Sequence, residues 1–237
     1  MPFIMQPGSD ATRFADLARQ RRSAVDFDGV TRIEASAFFA MLECLLPRPD
    51  TPPWNALPSP PQVHPVFIVH RVDGLEPGLH ILVREASAME SLRESMRPEW
   101  LWQKVGPGHV PLFLLLPHDL RDAARTICCH QDIAADSCFA LGMLAHFDAA
   151  LDEPWRYRQL FWECGMLGHV LYLEAEAAGI RATGIGCFFD DEMHGLLGIS
   201  DRTWQSLYHF TAGGPVDDPR LSTLPPYEYH QLAGSTR

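Results

Sequence analysis

Three consecutive residues, Arg21, Arg22 and Ser23, carry the chemistry of an anion site. A guanidinium presents forked N–H donors that match phosphate oxygens, and the serine hydroxyl adds one more. The same two cations would also be favourable at a helix C-terminus with no ligand at all. Their grouping matters because the chain is acidic, with 19 Lys and Arg against 30 Asp and Glu and a net charge of -11. That balance argues against nucleic acid, which needs a broad basic face, and against an anionic membrane surface. An anion bound by this chain must be bound locally.

A second group lies late in the chain, in "ATGIGCFFDDEMHGLLGI", residues 182–199. Gly184 and Gly186 allow a sharp turn or a close backbone approach to a flat ligand. The dinucleotide fingerprint is incomplete, because Phe189 stands where the third glycine belongs. A third group, "CCHQDIAADSCF", joins thiols, an imidazole and acids. Neighbours on a helix point in different directions, so Cys129 and His130 would not face one site. The spacing of a zinc site is also missing. None of the six cysteines forms a CxxC pair, and they read as reduced thiols.

These groups need elements to position them. Residues 10–22 read as a helix with Phe14, Leu17 and Ala18 on one stripe, and "IEASAFFAMLECLL" as another, ending at Pro47. Residues 47–65 hold eight prolines and read as an extended loop. "VFIVHRVDGLEPGLHILVRE" has the alternation and turn residues of a hairpin. "ASAMESLRESM" predicts a short helix, "VPLFLLL" a central strand, and residues from about 121 to 150 a long helical region. Pro154 opens "WRYRQLFWECGMLGHVLYLEAEAAG", a helix apolar nearly all round, which predicts deep burial. "TGIGCFF" reads as a strand or loop, "DDEMHGLLG" as a helix that Asp190 can cap, "WQSLYHFTAGG" as a strand, and residues 216–237 as an irregular tail. The sum is one α+β domain over residues 1–237. No apolar run approaches the ~20 residues of a spanning helix, and no signal peptide is visible, so the expected location is the cytoplasm.

Taken in order, "RRSxxxF", "EPGLHIL", "FWECGMLGHVLYLEAEAAGI", "GIGxFFDD" and "LYHFTAGGP" resemble the flavin-dependent nitroreductase superfamily, and its SagB-type branch in particular. The resemblance runs from about residue 21 to 227 and is densest over 155–215. It implies a central, mainly antiparallel sheet packed between helices, with long buried helices at a dimer interface. It also implies FMN as cofactor, a homodimer with a flavin at each interface site, and NAD(P)H as a reductant that would meet the flavin directly.

Position by position, the resemblance places Arg21, Arg22 and Ser23 at the phosphate and ribityl chain. It places Gly184, Gly186 and Cys187 in the backbone segment at the flavin N5 edge, and Arg220 as a late basic contact to phosphate. "PSPPQVHP" matches the loop that reaches the flavin of the other subunit, through Ser59 and Gln62. No catalytic side chain and no metal ligand is assigned. The implied activity is hydride transfer to or from a small molecule or peptide. A different reading is a degenerate, non-catalytic partner subunit in a peptide-maturation or other complex. Val25, at a position basic in many relatives, and the lack of a Lys-Tyr pair associated with azoline oxidation favour it.

Overall fold

A computed structural model of the chain describes residues 14–57, 59–226 and 228. Its centre is a seven-stranded sheet, antiparallel at every pairing, in the order β5-β6-β4-β2-β7-β9-β8. In chain order these strands are β2 (Val63–Val69), β4 (Gly78–Leu82), β5 (Gln103–Val105), β6 (Leu112–Pro117), β7 (Phe139–His146), β8 (Arg181–Ile185) and β9 (Trp204–Gly213). Two short strands, β1 (Ile33–Glu34) and β3 (Val72–Asp73), pair in parallel outside it.

Helices cover both faces, because successive residues of the central strands point to opposite sides and both sides are apolar. On one face Phe67, Val69, Phe139, Leu141 and Phe210 pack with α2 (Ala35–Leu45) and α7 (Pro154–Ala177). On the other, Val66, Ile68, Ala140, Leu144 and Trp204 pack with α3 (Met89–Ser95), α4 (Arg121–Ile127) and α8 (Asp190–Leu197). The other α-helices among the described residues are α1 (Phe14–Gln20), α5 (Asp132–Ala135) and α6 (Asp148–Leu151).

The expected hairpin forms, with β2 against β4 and Gly74 at φ +85° in the turn. The region expected to be helical from about 121 to 150 does not hold together: α4 and α5 are short, and Phe139–His146 is β7, in the middle of the sheet. Its run "FALGMLAH" is buried almost throughout, and a strand buried on both faces has the same uniform apolarity as a buried helix. β6 lies one strand from the sheet edge rather than at the centre. The proline-rich stretch ends earlier than residue 65, since β2 starts at Val63 and takes Pro65 into its pairing with Met143. Asp190 begins α8 but makes no side-chain cap; Phe189 holds that position. The start of the first helix before residue 14 and most of the tail after residue 226 lie outside the described residues.

The long helix α7 is also less covered than expected. Leu160, Cys164, Leu167 and Leu171 are buried, whereas Trp155, Tyr157, Phe161 and Trp162 are 39–57 % exposed on the same helix. No described helix is long and apolar enough to cross a membrane.

Candidate functional site

The N-terminal and late motifs meet at α7. Main-chain pairing lays Ser23 beside β8, with the Ala24 N–H donating to the Ala182 carbonyl at 3.0 Å. The Tyr172 hydroxyl then joins them: it lies 2.9 Å from Ser23 Oγ and accepts from the Gly184 N–H at 2.9 Å. The Arg21 guanidinium sits over the Tyr172 ring, 4.6 Å from its centroid. The Arg21 main-chain N–H donates to the Leu17 carbonyl at 2.9 Å, and among the described residues its guanidinium has no hydrogen-bond acceptor.

Arg21 and Tyr172 line a cavity of about 350 Å³ with Phe161, Gly168, Tyr208 and Phe210. A second cavity, about 320 Å³, is lined by Gly186, Phe188, Tyr157 and Phe161, so Phe161 borders both. Each falls near the lower end of ligand-pocket size. The glycines differ in what surrounds them. A Cβ on Gly184 would stand 1.9 Å from the Tyr208 hydroxyl, so this glycine makes room for a side chain of the same protein. A Cβ on Gly165 or Gly186 would meet nothing within 4 Å. Gly186 and Cys187 follow the last ladder pair, Ile185 with His209, so their N–H groups lie beyond the sheet.

Behind Gly186, the Phe188 ring stacks on His209 with centroids 4.2 Å apart. His209 bonds Ser206 Oγ at 2.9 Å, and the Ser206 N–H donates to His194 Nε2 at 3.0 Å. Burial, with the neighbouring His194 second, pulls the His209 pKa down to about 3. The imidazole is therefore neutral and serves to fix Phe188 rather than to exchange protons near neutrality.

The other expected site residues are placed differently. Arg22 spends its guanidinium on the carbonyls of Arg19, Arg21 and Leu224. Arg220 is highly exposed and forks onto Asp218. Ser59 and Gln62 line a separate cavity of about 240 Å³ with Arg156, Gln159 and Glu163 of α7, away from Arg21 within one chain.

The cysteines need correction. Cys129 and Cys187 are joined in a disulfide across Cα atoms 5.8 Å apart, while Cys44, Cys128, Cys138 and Cys164 are free. The expectation failed because residues 128–130 are a turn after α4 rather than a helix, and Cys129 has the left-handed φ of 57°. That geometry brings the two halves of the site-bearing sequence within bonding range.

Sequence reasoning missed Tyr172 as the hub and Phe161 as a shared wall. One signal was present: Phe161, Gly165, Gly168 and Tyr172 are spaced four, three and four residues apart, which puts them on one helical face. It also missed the buried ion pair between Arg84 and Glu163, which anchors β2 to α7 because Arg84 further donates to the Leu45 and Val63 carbonyls and Glu163 accepts from the Gln62 N–H.

Several solved structures share the fold. A protein of Anabaena variabilis provisionally assigned as a nitroreductase superposes with a TM-score of 0.63 at 21% identity, over 85% of this chain but 38% of its own. This chain therefore spans well under half the length of that protein. The E. coli microcin synthetase McbBCD complex with truncated pro-MccB17 bound gives 0.58 at 15% identity, over 92% of this chain and 79% of the other. A provisionally assigned nitroreductase of Exiguobacterium sibiricum in complex with FMN gives 0.52 at 13% identity, over 93% and 96%. No curated protein matches the chain. Residues 85–214, more than half of the sequence, match the model described as the Nitroreductase family, and the chain belongs to that family.

Proposed function

We propose that the chain binds FMN at the Arg21–Ser23–Tyr172–Gly184 cluster and acts as an FMN-dependent oxidoreductase on a small-molecule or peptide substrate. The observation that carries this reading is Arg21: a cation with available donors, held over Tyr172 beside Ser23, at the edge of an apolar cavity in an acidic protein. The donor set fits the group, with Arg21 and Ser23 suited to phosphate oxygens. Gly186 leaves open space where a flat ring system can approach the backbone.

When bound, FMN supplies hydride chemistry at its N5. The chain supplies position and electrostatics. Tyr172 fixes Ser23 and Gly184 relative to each other, so the residues that would hold the phosphate and those that would meet the ring share one frame. In this reading the N–H groups of Gly186 and Cys187 would donate to the flavin ring, and Phe161, Tyr157 and Phe188, which line the cavity at Gly186, would pack beside it. Within this reading NAD(P)H is the first reductant to test, and the SagB-type branch and a peptide substrate accord with the fold likeness to the microcin synthetase complex.

The active unit in this reading is a cytoplasmic homodimer. The exposed aromatic row of α7, with Ser59 and Gln62 in a separate cavity, supports it, since residues idle in their own subunit's site can serve a neighbour's. A specific observation favours a second reading, the non-catalytic partner subunit. Arg22 and Arg220 both spend their guanidinium groups on protein acceptors instead of leaving them for phosphate. The visible absorption spectrum of the purified protein separates the readings: flavin bands that yield FMN and not FAD on denaturation support the enzyme, and a protein that stays colourless after incubation with FMN supports the partner.

A further inference from the structure

The turn after α4 holds two consecutive left-handed residues, Cys129 at φ 57° and His130 at φ 58°. Neither is glycine, and this conformation is disfavoured for an L-residue. Contacts on either side of the turn hold it to segment 186–189. Cys129 is bonded to Cys187. The Gln131 side-chain amide donates to the carbonyls of Cys128 and Cys187 at 2.8 and 3.2 Å. The Phe189 N–H donates to the Ile127 carbonyl at 2.7 Å, and the His130 ring meets the Phe189 ring edge-on.

The disulfide is unevenly exposed: Cys187 is open to solvent and Cys129 is half-buried. Access helps decide which sulfur of a disulfide a thiolate attacks. The other cysteines are of a different kind. Desolvation pushes the thiols of Cys44 and Cys128 up to about 12 and that of Cys138 to about 11, and raises Cys164 as well. With the thiolate suppressed in all four, Cys128, Cys138 and Cys164 buried and Cys44 half-buried, they are poor nucleophiles and poor targets.

We infer that Cys129–Cys187 is a reversible thiol-exchange site, at which a small thiol attacks the sulfur of Cys187, the more exposed residue, and releases Cys129. In the first step the incoming thiolate bonds to the Cys187 sulfur, the Cys129–Cys187 bond breaks, and its electron pair leaves on Cys129, which takes up a proton. A second thiolate attacks the outer sulfur of the mixed disulfide and displaces Cys187. Two external thiols become one external disulfide, and the protein gains two thiols. Opening removes the covalent tie on the left-handed turn and loosens segment 186–189, which borders the cavity at Gly186 and Phe188. The exchange requires no flavin, so it is independent of the function proposed above.

The test uses the full chain purified without reductant. It is treated with reduced glutathione, quenched with iodoacetamide and mapped by peptide mass spectrometry. Alkylation is expected at Cys129 and Cys187 only after glutathione, with a glutathione adduct on Cys187 when thiol is limiting and no label on the other four until the chain is denatured. Alkylation of Cys187 before any thiol is added, a bond that opens only on unfolding, or an adduct on Cys129 instead would each overturn the inference. Single variants check the order of attack. Cys187 in Cys129→Ser should react with glutathione disulfide about tenfold or more faster than Cys129 in Cys187→Ser, as its exposure requires. Equal or reversed rates contradict it, and if either variant fails to fold, the wild-type mapping alone decides.

Discussion

The Tyr172 hydroxyl lies 2.9 Å from Ser23 Oγ, although 149 positions separate the two residues in sequence. Through its second bond, to the Gly184 N–H, the same oxygen fixes the start of the chain against β8. Tyr172→Phe removes both bonds and leaves a part-buried N–H without a partner. A loss of about 1–3 kcal/mol is expected, read as a fall in melting temperature of roughly 2–4 °C per kcal/mol for a domain of this size. An unchanged melting temperature would mean that the hydroxyl does not bridge the two segments.

Gly184 and Tyr208 form a packing pair. Gly184→Ala sets a methyl 1.9 Å from the Tyr208 hydroxyl, and overpacking of this kind costs about 1–3 kcal/mol. In a Tyr208→Ala background the same substitution should cost less, giving a coupling visible in a double-mutant cycle by urea denaturation. Strictly additive effects would show that the two residues do not compete for the space.

Much of this was legible in the chain. The hairpin around Asp73-Gly74, the Pro154 helix start and the "WQSLYHFTAGG" strand each carry a local signal, and each forms. β7 was not legible, because a strand buried on both faces loses the alternation that marks strands. The "RRS" and "TGIG" motifs were visible, but which arginine faces the cavity was not. Adjacent arginines have identical chemistry, and only the tertiary course sends Arg22 to the Leu224 carbonyl and leaves Arg21 over Tyr172. The Cys129–Cys187 pairing was hidden for a related reason: it depends on a left-handed turn that no glycine announces.

Arg84 and Glu163 are both buried to within a few percent of completely. Glu163→Ala leaves the Arg84 charge uncompensated and should destabilise the fold by about 3–5 kcal/mol. Replacing both with apolar residues of similar volume, Arg84→Met with Glu163→Leu, should be much milder. The comparison is made by chemical denaturation. A mild single variant, or a double as costly as the single, would contradict a mutually dependent buried pair.

Acid should weaken the fold early. Burial lowers the pKa of His64 and His209 to about 3, and of His70 and His80 to about 4, from an ordinary 6.5. Above pH 6.5 these rings are neutral in both folded and unfolded chains and exert no pull. As pH falls below 6.5 the unfolded chain takes up protons first, and stability drops by up to ~1.4 kcal/mol per pH unit per histidine. The loss continues until the folded-state values near 3 to 4 are reached. Melting temperatures should therefore fall steadily between pH 7 and 5. A flat profile there would mean that these rings are not buried neutral.

The most direct test of the central claim is a titration of flavin-free protein with FMN, comparing wild type with Arg21→Ala. Binding of about one FMN per chain is expected in the wild type. Arg21→Ala should weaken it roughly tenfold to hundredfold, because a charge-assisted bond to phosphate contributes on the order of 1.5–3 kcal/mol. No binding by the wild type, or equal affinity in the variant, would contradict the assignment of the Arg21–Ser23–Tyr172 cluster as the flavin phosphate site.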